Sequence, residues 1–142
     1  MRDLTNEEQQ HQCMLMGMGF AHRDGTYGLP KDEKQAVEWF RQAAMLGDPR
    51  GLTSCGYHYC AGIGIDRNCS EGLVMLGQAA GMGAEHACYY LGWAYERGAW
   101  TLKQDASQAR RLYRKMDSCS VKNSHVTARN EATKWLRDNP ER

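Results

Sequence analysis

The chain has 142 residues, about one domain, with 18 Lys and Arg against 17 Asp and Glu and a formal net charge of +1. Near-neutrality excludes a chain that holds nucleic acid through bulk positive charge. A hydrophobic share of 42% excludes a disordered chain, and 15 glycines against 3 prolines suit closely packed helices punctuated by glycine turns.

Residues 1–10 are polar and contain no apolar stretch of the secretory kind, so they read as a frayed lead-in to a cytoplasmic chain. No apolar run approaches the ~18 residues of a membrane span, and membrane insertion is not expected. In a reducing compartment the six cysteines are expected as free thiols. Charge is uneven along the chain, with a basic last third behind an acidic front.

A first helix is predicted around Met16-Gly17-Met18-Gly19-Phe20, ending at Gly25. A second begins after Asp32, whose carboxylate complements the helix dipole, and spans 33–46. Its apolar stripe is Ala36, Val37, Phe40, Ala43 and Ala44, and Gly47 stops it just before Pro49. The pattern then returns. Cys55-Gly56-Tyr57-His58-Tyr59 leads to Gly62, Asp66, Gly72, Met75, Ala79-Ala80 and Gly83. It returns again as Leu91-Gly92-Trp93-Ala94-Tyr95, Gly98, Asp105, Ala109 and Leu112, and decays at Met116-Asp117. The leading glycines Gly17, Gly56 and Gly92 are spaced by 39 and 36 residues, which marks an internal repeat. Glycine inside a helix costs roughly 1 kcal/mol relative to alanine, so its recurrence predicts close approach of a neighbouring helix.

A further amphipathic helix is predicted over 124–138, with Val126, Ala132, Trp135 and Leu136 on its apolar side. The chain therefore divides into a lead-in at 1–10, three repeats at about 11–49, 50–85 and 86–122, and a capping helix with tail at 123–142. The expected fold is an all-α solenoid of helix pairs, closed by a terminal unit that departs from the repeat.

The run Leu91-Gly92-Trp93-Ala94-Tyr95-Glu96-Arg97-Gly98 resembles the Sel-one-like repeat, a relative of the tetratricopeptide repeat. So does Ala36-Val37-Glu38-Trp39-Phe40-Arg41-Gln42-Ala43-Ala44 with Gly47, and the likeness covers about residues 12–120. It implies a right-handed superhelix of antiparallel helix pairs used as a scaffold for protein–protein contact. Some secreted members carry regularly spaced cysteine pairs bridging the two helices of a unit. Here the spacings are 42, 5, 9, 19 and 31, which departs from that pattern and from the β-lactam binding attributed to such members.

Metal-site motifs are missing: there is no Cys-x-x-Cys and no His-Glu-x-x-His. The nearest cluster is His58 and Cys60 with Cys69, and it carries an alternative reading as a redox- or metal-responsive regulator. Thiols packed as small hydrophobes are the simpler expectation, with Cys13, Cys55 and Cys88 placed in the core. No Gly-x-Ser-x-Gly elbow occurs, so no catalytic residue is assigned, the chain is not expected to be an enzyme, and no cofactor is expected. Arg110, Arg111, Arg114 and Lys115 read as the solvated face of a helix, and nucleic acid is not an expected partner.

If the first helix of each unit lines the concave face, as the resemblance implies, partner-binding candidates follow by register. The first unit offers Met14, Met18 and His22, next to His11. The second offers Arg50 and Tyr57, with Thr53 and Cys60 in the same row. The third offers His86, Tyr89, Trp93, Glu96 and Arg97. Tyr, Trp and Arg are the side chains most enriched at interface hot spots, which favours a peptide or helix of another protein as partner. Such a short module suits one dedicated partner, as for an adaptor or a toxin-neutralising immunity protein.

Overall fold

Among the described residues, five helices begin at a residue whose side chain accepts from the first turn, while the helix that follows Ala84 starts without such a bond. In the computed structural model, which describes residues 3–121 and 126–141, Thr5 forms a reciprocal capping box with Glu8 and starts α1, Asn6–Asp24. Residues 6–10, expected as a frayed lead-in, are thus the first turns of a helix. Asp32 caps α2 (Glu33–Met45) and Asp105 caps α6 (Ala106–Lys115). Between them lie α3 (Pro49–Ala61), α4 (Cys69–Gly81) and α5 (Glu85–Arg97). A 3-10 turn at Met116–Ser118 follows, and then α7, Val126–Asp138. The expected helix over 124–138 is therefore present from Val126; Ser124 and the side chain of Val126 lie outside the described residues.

Asp66 does not cap α4. Asn68 does, its side chain accepting from the Glu71 amide at 3.1 Å. The loop of the second unit is one residue shorter than its counterparts, which moves the cap out of line with Asp32 and Asp105. Gly25, Gly62 and Gly98 close α1, α3 and α5 in left-handed geometry, with φ of 68°, 70° and 66°.

Each helix packs on its neighbours in the chain from α1 to α6, and α3 also touches α5. That nearest-neighbour arrangement is a helical solenoid. The first helix of each pair (α1, α3, α5) meets the second (α2, α4, α6) at a glycine. A Cβ on Gly19 would lie 2.6 Å from Phe40 Cδ1, one on Gly56 2.8 Å from Leu76 Cγ, and one on Gly92 2.6 Å from Tyr113 Cε1. Gly17 is not part of this series: it is exposed and faces open space. The contact glycine of the first unit is Gly19, two residues beyond the position expected from the sequence.

The core holds Leu15, Met16, Phe40 and Cys55 at one end and Leu76, Cys88, Tyr113 and Met116 at the other. Cys55, Cys60, Cys88 and Cys119 are buried, but Cys13 is exposed, contrary to its expected core placement. Its thiol lies 3.9 Å from Arg50 Nη2.

The C-terminal unit caps the stack. Glu85, 2% exposed, receives Arg129, and Trp135 meets Tyr113 edge-on with ring centroids 5.4 Å apart. Val121 joins Ala84 through an isolated bridge, donating to Gly83 O and accepting from the Glu85 amide, each at 3.0 Å. The tail lies along α6, where the Arg110 guanidinium donates to Asn139 O and Arg114 pairs with Glu141 at 2.9 Å. Part of the basic stretch expected as a solvated face is therefore engaged by the chain's own end.

Candidate functional site: an aromatic cleft along the first helices

The helix that presses its glycine on the partner helix turns other positions toward the inner side of the solenoid. There a cleft of about 660 Å³ opens across α1, α3 and α5. Phe20, Arg23 and Asp24 line it from α1, and Arg50, Thr53, Ser54, Tyr57 and His58 from α3. His86 and Tyr90 come from α5, with Ala84 and Val121 at its mouth.

Its wall is aromatic. Tyr57 and Tyr90 stack with centroids 4.7 Å apart and planes inclined by 20°, and His86 lies 4.6 Å from Tyr90. Trp100 presents an edge to Tyr57 and Tyr90 and continues the row to Trp93, 5.3 Å away. Trp100 and the β-branched Thr101 both hold left-handed backbone, φ 55° and 68°, a geometry that costs an L-residue about 1–2 kcal/mol. The ring contacts of Trp100 offset part of that cost.

Both guanidinium groups that line the cleft are paired within the chain, and Glu33 adds a carboxylate from the start of α2. Arg23 holds Asp24 through two parallel bonds of 2.8 and 2.9 Å, which raises the arginine and lowers the carboxyl from their ordinary values. The same guanidinium lies 4.7 Å over the Phe20 ring. Arg50 donates to Asp48, a carboxylate only 2% exposed, through its side chain and its backbone amide. His58 donates from Nδ1 to Ser54 O at 2.7 Å, and burial pushes its pKa below the usual histidine value, so the ring is neutral at pH 7. Burial, with Tyr57 second, pushes the Tyr90 phenol up to about 12. What remains for a ligand is a set of flat rings edged by neutralised guanidinium groups and the Glu33 carboxylate, suited to apolar and aromatic side chains on an extended segment.

Of the candidates from sequence, Arg50, Tyr57 and His86 line the cleft, with Thr53 beside them. Trp93 and Arg97 stand beyond its lining, the guanidinium 5.5 Å over the indole. Tyr89 and Glu96 are engaged elsewhere: Tyr89 donates to Glu131 of α7, and Glu96 accepts from the Tyr113 hydroxyl of α6 at 3.1 Å. Met14 (50% exposed), half-buried Met18 and half-buried His22 lie off the cleft, as do exposed His11 and fully buried Cys60. The lining residues Phe20, Arg23, His58 and Tyr90 were not expected from the sequence, nor was the neighbouring Trp100. Counting from the capping glycines would have found Phe20: Gly19, Gly56 and Gly92 each precede Gly25, Gly62 and Gly98 by six, and Phe20, Tyr57 and Trp93 follow them directly.

The cluster of His58, Cys60 and Cys69 does not converge. His58 packs against Phe40, while Cys60 and Cys69 direct their thiols at each other's carbonyl oxygen at 4.0 and 3.9 Å. Burial, then Cys69, pushes the Cys60 thiol up to about 11. Among the described residues no three His, Cys, Asp or Glu side chains gather into a group able to hold a metal ion.

Among the described residues no helix is long and apolar enough to cross a membrane. No curated protein matches this chain by sequence. The solved structures that resemble nearly all of it include two bacterial proteins. The Sel1 repeat protein of Oxalobacter formigenes is 27% identical with a TM-score of 0.67, covering 94% of this chain and 93% of its own. The protective antigen c5321, present in uropathogenic Escherichia coli strains and displaying an SLR fold, is 26% identical with a TM-score of 0.70. That match covers 92% of this chain but only 27% of the antigen. The Sel1 repeat model matches residues 13–48, 49–83 and 85–116, each a helix pair of the solenoid, and the chain accordingly belongs to the Sel1 repeat family.

Proposed function

We propose that the chain is a non-catalytic binding module that holds an extended segment of one protein partner in the cleft along α1, α3 and α5. Sel1 repeats generally mediate protein–protein contact, and that coarse role comes with the family. The observation that supports the cleft as the contact face is the Tyr57–Tyr90 stack, two half-buried rings on successive repeats that share one wall. Aromatic anchors of this kind carry about 2 kcal/mol or more when a partner covers them. Three repeats give a cleft of limited span, which suits a dedicated partner, and an adaptor or an immunity protein is the role proposed.

The test uses the full chain immobilised against lysate of its source cells, alongside two variants shown by circular dichroism to remain helical. Tyr57→Ala/Tyr90→Ala removes the wall; Met45→Ala/Val74→Ala alters exposed positions on the second helices. The reading expects one protein retained by the wild type and the Met45/Val74 variant, with at least tenfold less on the cleft variant. Loss on the Met45/Val74 variant with retention by the cleft variant overturns it.

A further inference from the structure

We propose that Cys88 and Cys119 form a redox-modification site, closing under peroxide into a disulfide that staples the C-terminal cap to α5. Their sulfur atoms lie 3.6 Å apart in the core, with both residues unpaired as disulfides. A disulfide needs about 2.0 Å between sulfurs, so closure asks for a shift of roughly 1.5 Å. The segment that can supply it is irregular: Cys119 follows the 3-10 turn and leads to Val121. Two kinds of contact hold it, the bridge of Val121 to Gly83 and Glu85, and the bonds of Cys119 to Met116 O and Lys115 O, each 3.3 Å. Neither is broken by pulling Cys119 toward α5, apart from the weak thiol bond to Lys115.

The link would enclose all of α6 and fasten the chain 31 residues apart. That differs from Cys60 and Cys69, which stand at the adjoining ends of α3 and α4. Val121, two residues beyond Cys119, lines the mouth of the aromatic cleft, so the staple also fixes that edge.

The order of events follows from the surroundings. Burial, and then the neighbouring thiol, push the pKa of Cys88 up and keep it protonated. Cys119, outside the helices and 5% exposed against 0% for Cys88, meets the oxidant first: its thiol and hydrogen peroxide give a sulfenic acid and water. The Cys88 sulfur then attacks the Cys119 sulfur, the S–O bond breaks, and the departing hydroxide leaves as water with the Cys88 proton. Two thiols are oxidised, one peroxide is reduced, and two waters form.

The experiment treats the full chain with hydrogen peroxide, blocks the remaining thiols, and maps peptides without reduction. Tryptic peptides 68–97 and 116–122 should appear joined, with fragmentation distinguishing Cys88 from Cys69 in the first. The melting temperature should rise by about 5 °C or more and return after dithiothreitol. Cys119→Ser should abolish the rise, whereas Cys60→Ser/Cys69→Ser should keep it. The proposal is overturned if Cys88 and Cys119 remain separate, whether as free thiols or as sulfinic acid, or if the link joins Cys60 to Cys69 alone. The wild-type map decides the matter even where a serine variant fails to fold.

Discussion

Tyr57 of the second repeat and Tyr90 of the third stack at 4.7 Å across the boundary between their helix pairs. The same two rings form the wall of the cleft, so the contact that joins the repeats is also the surface offered to a partner. A double-mutant cycle on Tyr57→Ala and Tyr90→Ala should give a coupling of about 0.5–1.5 kcal/mol in urea unfolding. A coupling near zero would mean that the rings do not support one another in solution.

Gly17 and Gly19 should respond in opposite ways to alanine. Gly17→Ala meets open space on an exposed helix and should stabilise by about 0.5–1 kcal/mol. Gly19→Ala drives a methyl into the Phe40 ring and should destabilise by about 1–3 kcal/mol. Chemical denaturation of the two variants side by side checks the assignment of the contact glycine.

Acid should weaken the fold through His58. Its folded pKa is depressed by burial, so below pH 6.5 the unfolded chain takes up a proton that the native ring refuses. Stability from this group is complete above pH 6.5 and declines as pH falls from there toward the lowered folded value. His58→Asn, whose amide nitrogen takes the place of Nδ1 as donor to Ser54 O, should flatten the melting temperature between pH 7 and 5. An unchanged slope in the variant would assign the acid sensitivity to other groups.

Native thiol labelling should be sharply divided. Cys13 is exposed and should react with iodoacetamide first, with half-buried Cys69 following. Cys55 is fully buried, and burial, its largest cause, raises its thiol to about 12, so it should stay unlabelled until denaturant is added. Mass spectrometry of the alkylated chain over time reads the order directly.

The cap depends on Arg129. The guanidinium reaches Glu85, whose carboxylate is 3% exposed and belongs to the first turn of α5. Arg129→Ala removes a cation that reaches this buried carboxylate and should loosen α7 from the stack. Hydrogen exchange should show α7 amides losing protection by about tenfold or more, while α1 to α4 stay unchanged.

Much of the fold is legible in the sequence. The 36-residue spacing, the paired alanines, and the glycines at 25, 62 and 98 place the helix pairs, because helix periodicity and left-handed caps are local properties of the chain. The position of the inner face was less accessible. Met-Gly-Met-Gly offers two glycines; the six-residue step to Gly25 is a faint signal for the second, and the ring of Phe40, twenty-one residues away, packs on Gly19 and selects it. A shift of two residues on a helix rotates a side chain by about 200°, which is why Met14, Met18 and His22 fall off the cleft and Phe20 and Arg23 fall in it. The cap had the same dependence on distant packing. Nothing near Tyr89 in sequence points to Glu131, nor near Cys88 to Cys119; those pairs exist because α7 and residues 119–121 pack back on the third repeat. Local pattern set the helices and their repeat, and contacts between helices set which side of each helix is left for a partner.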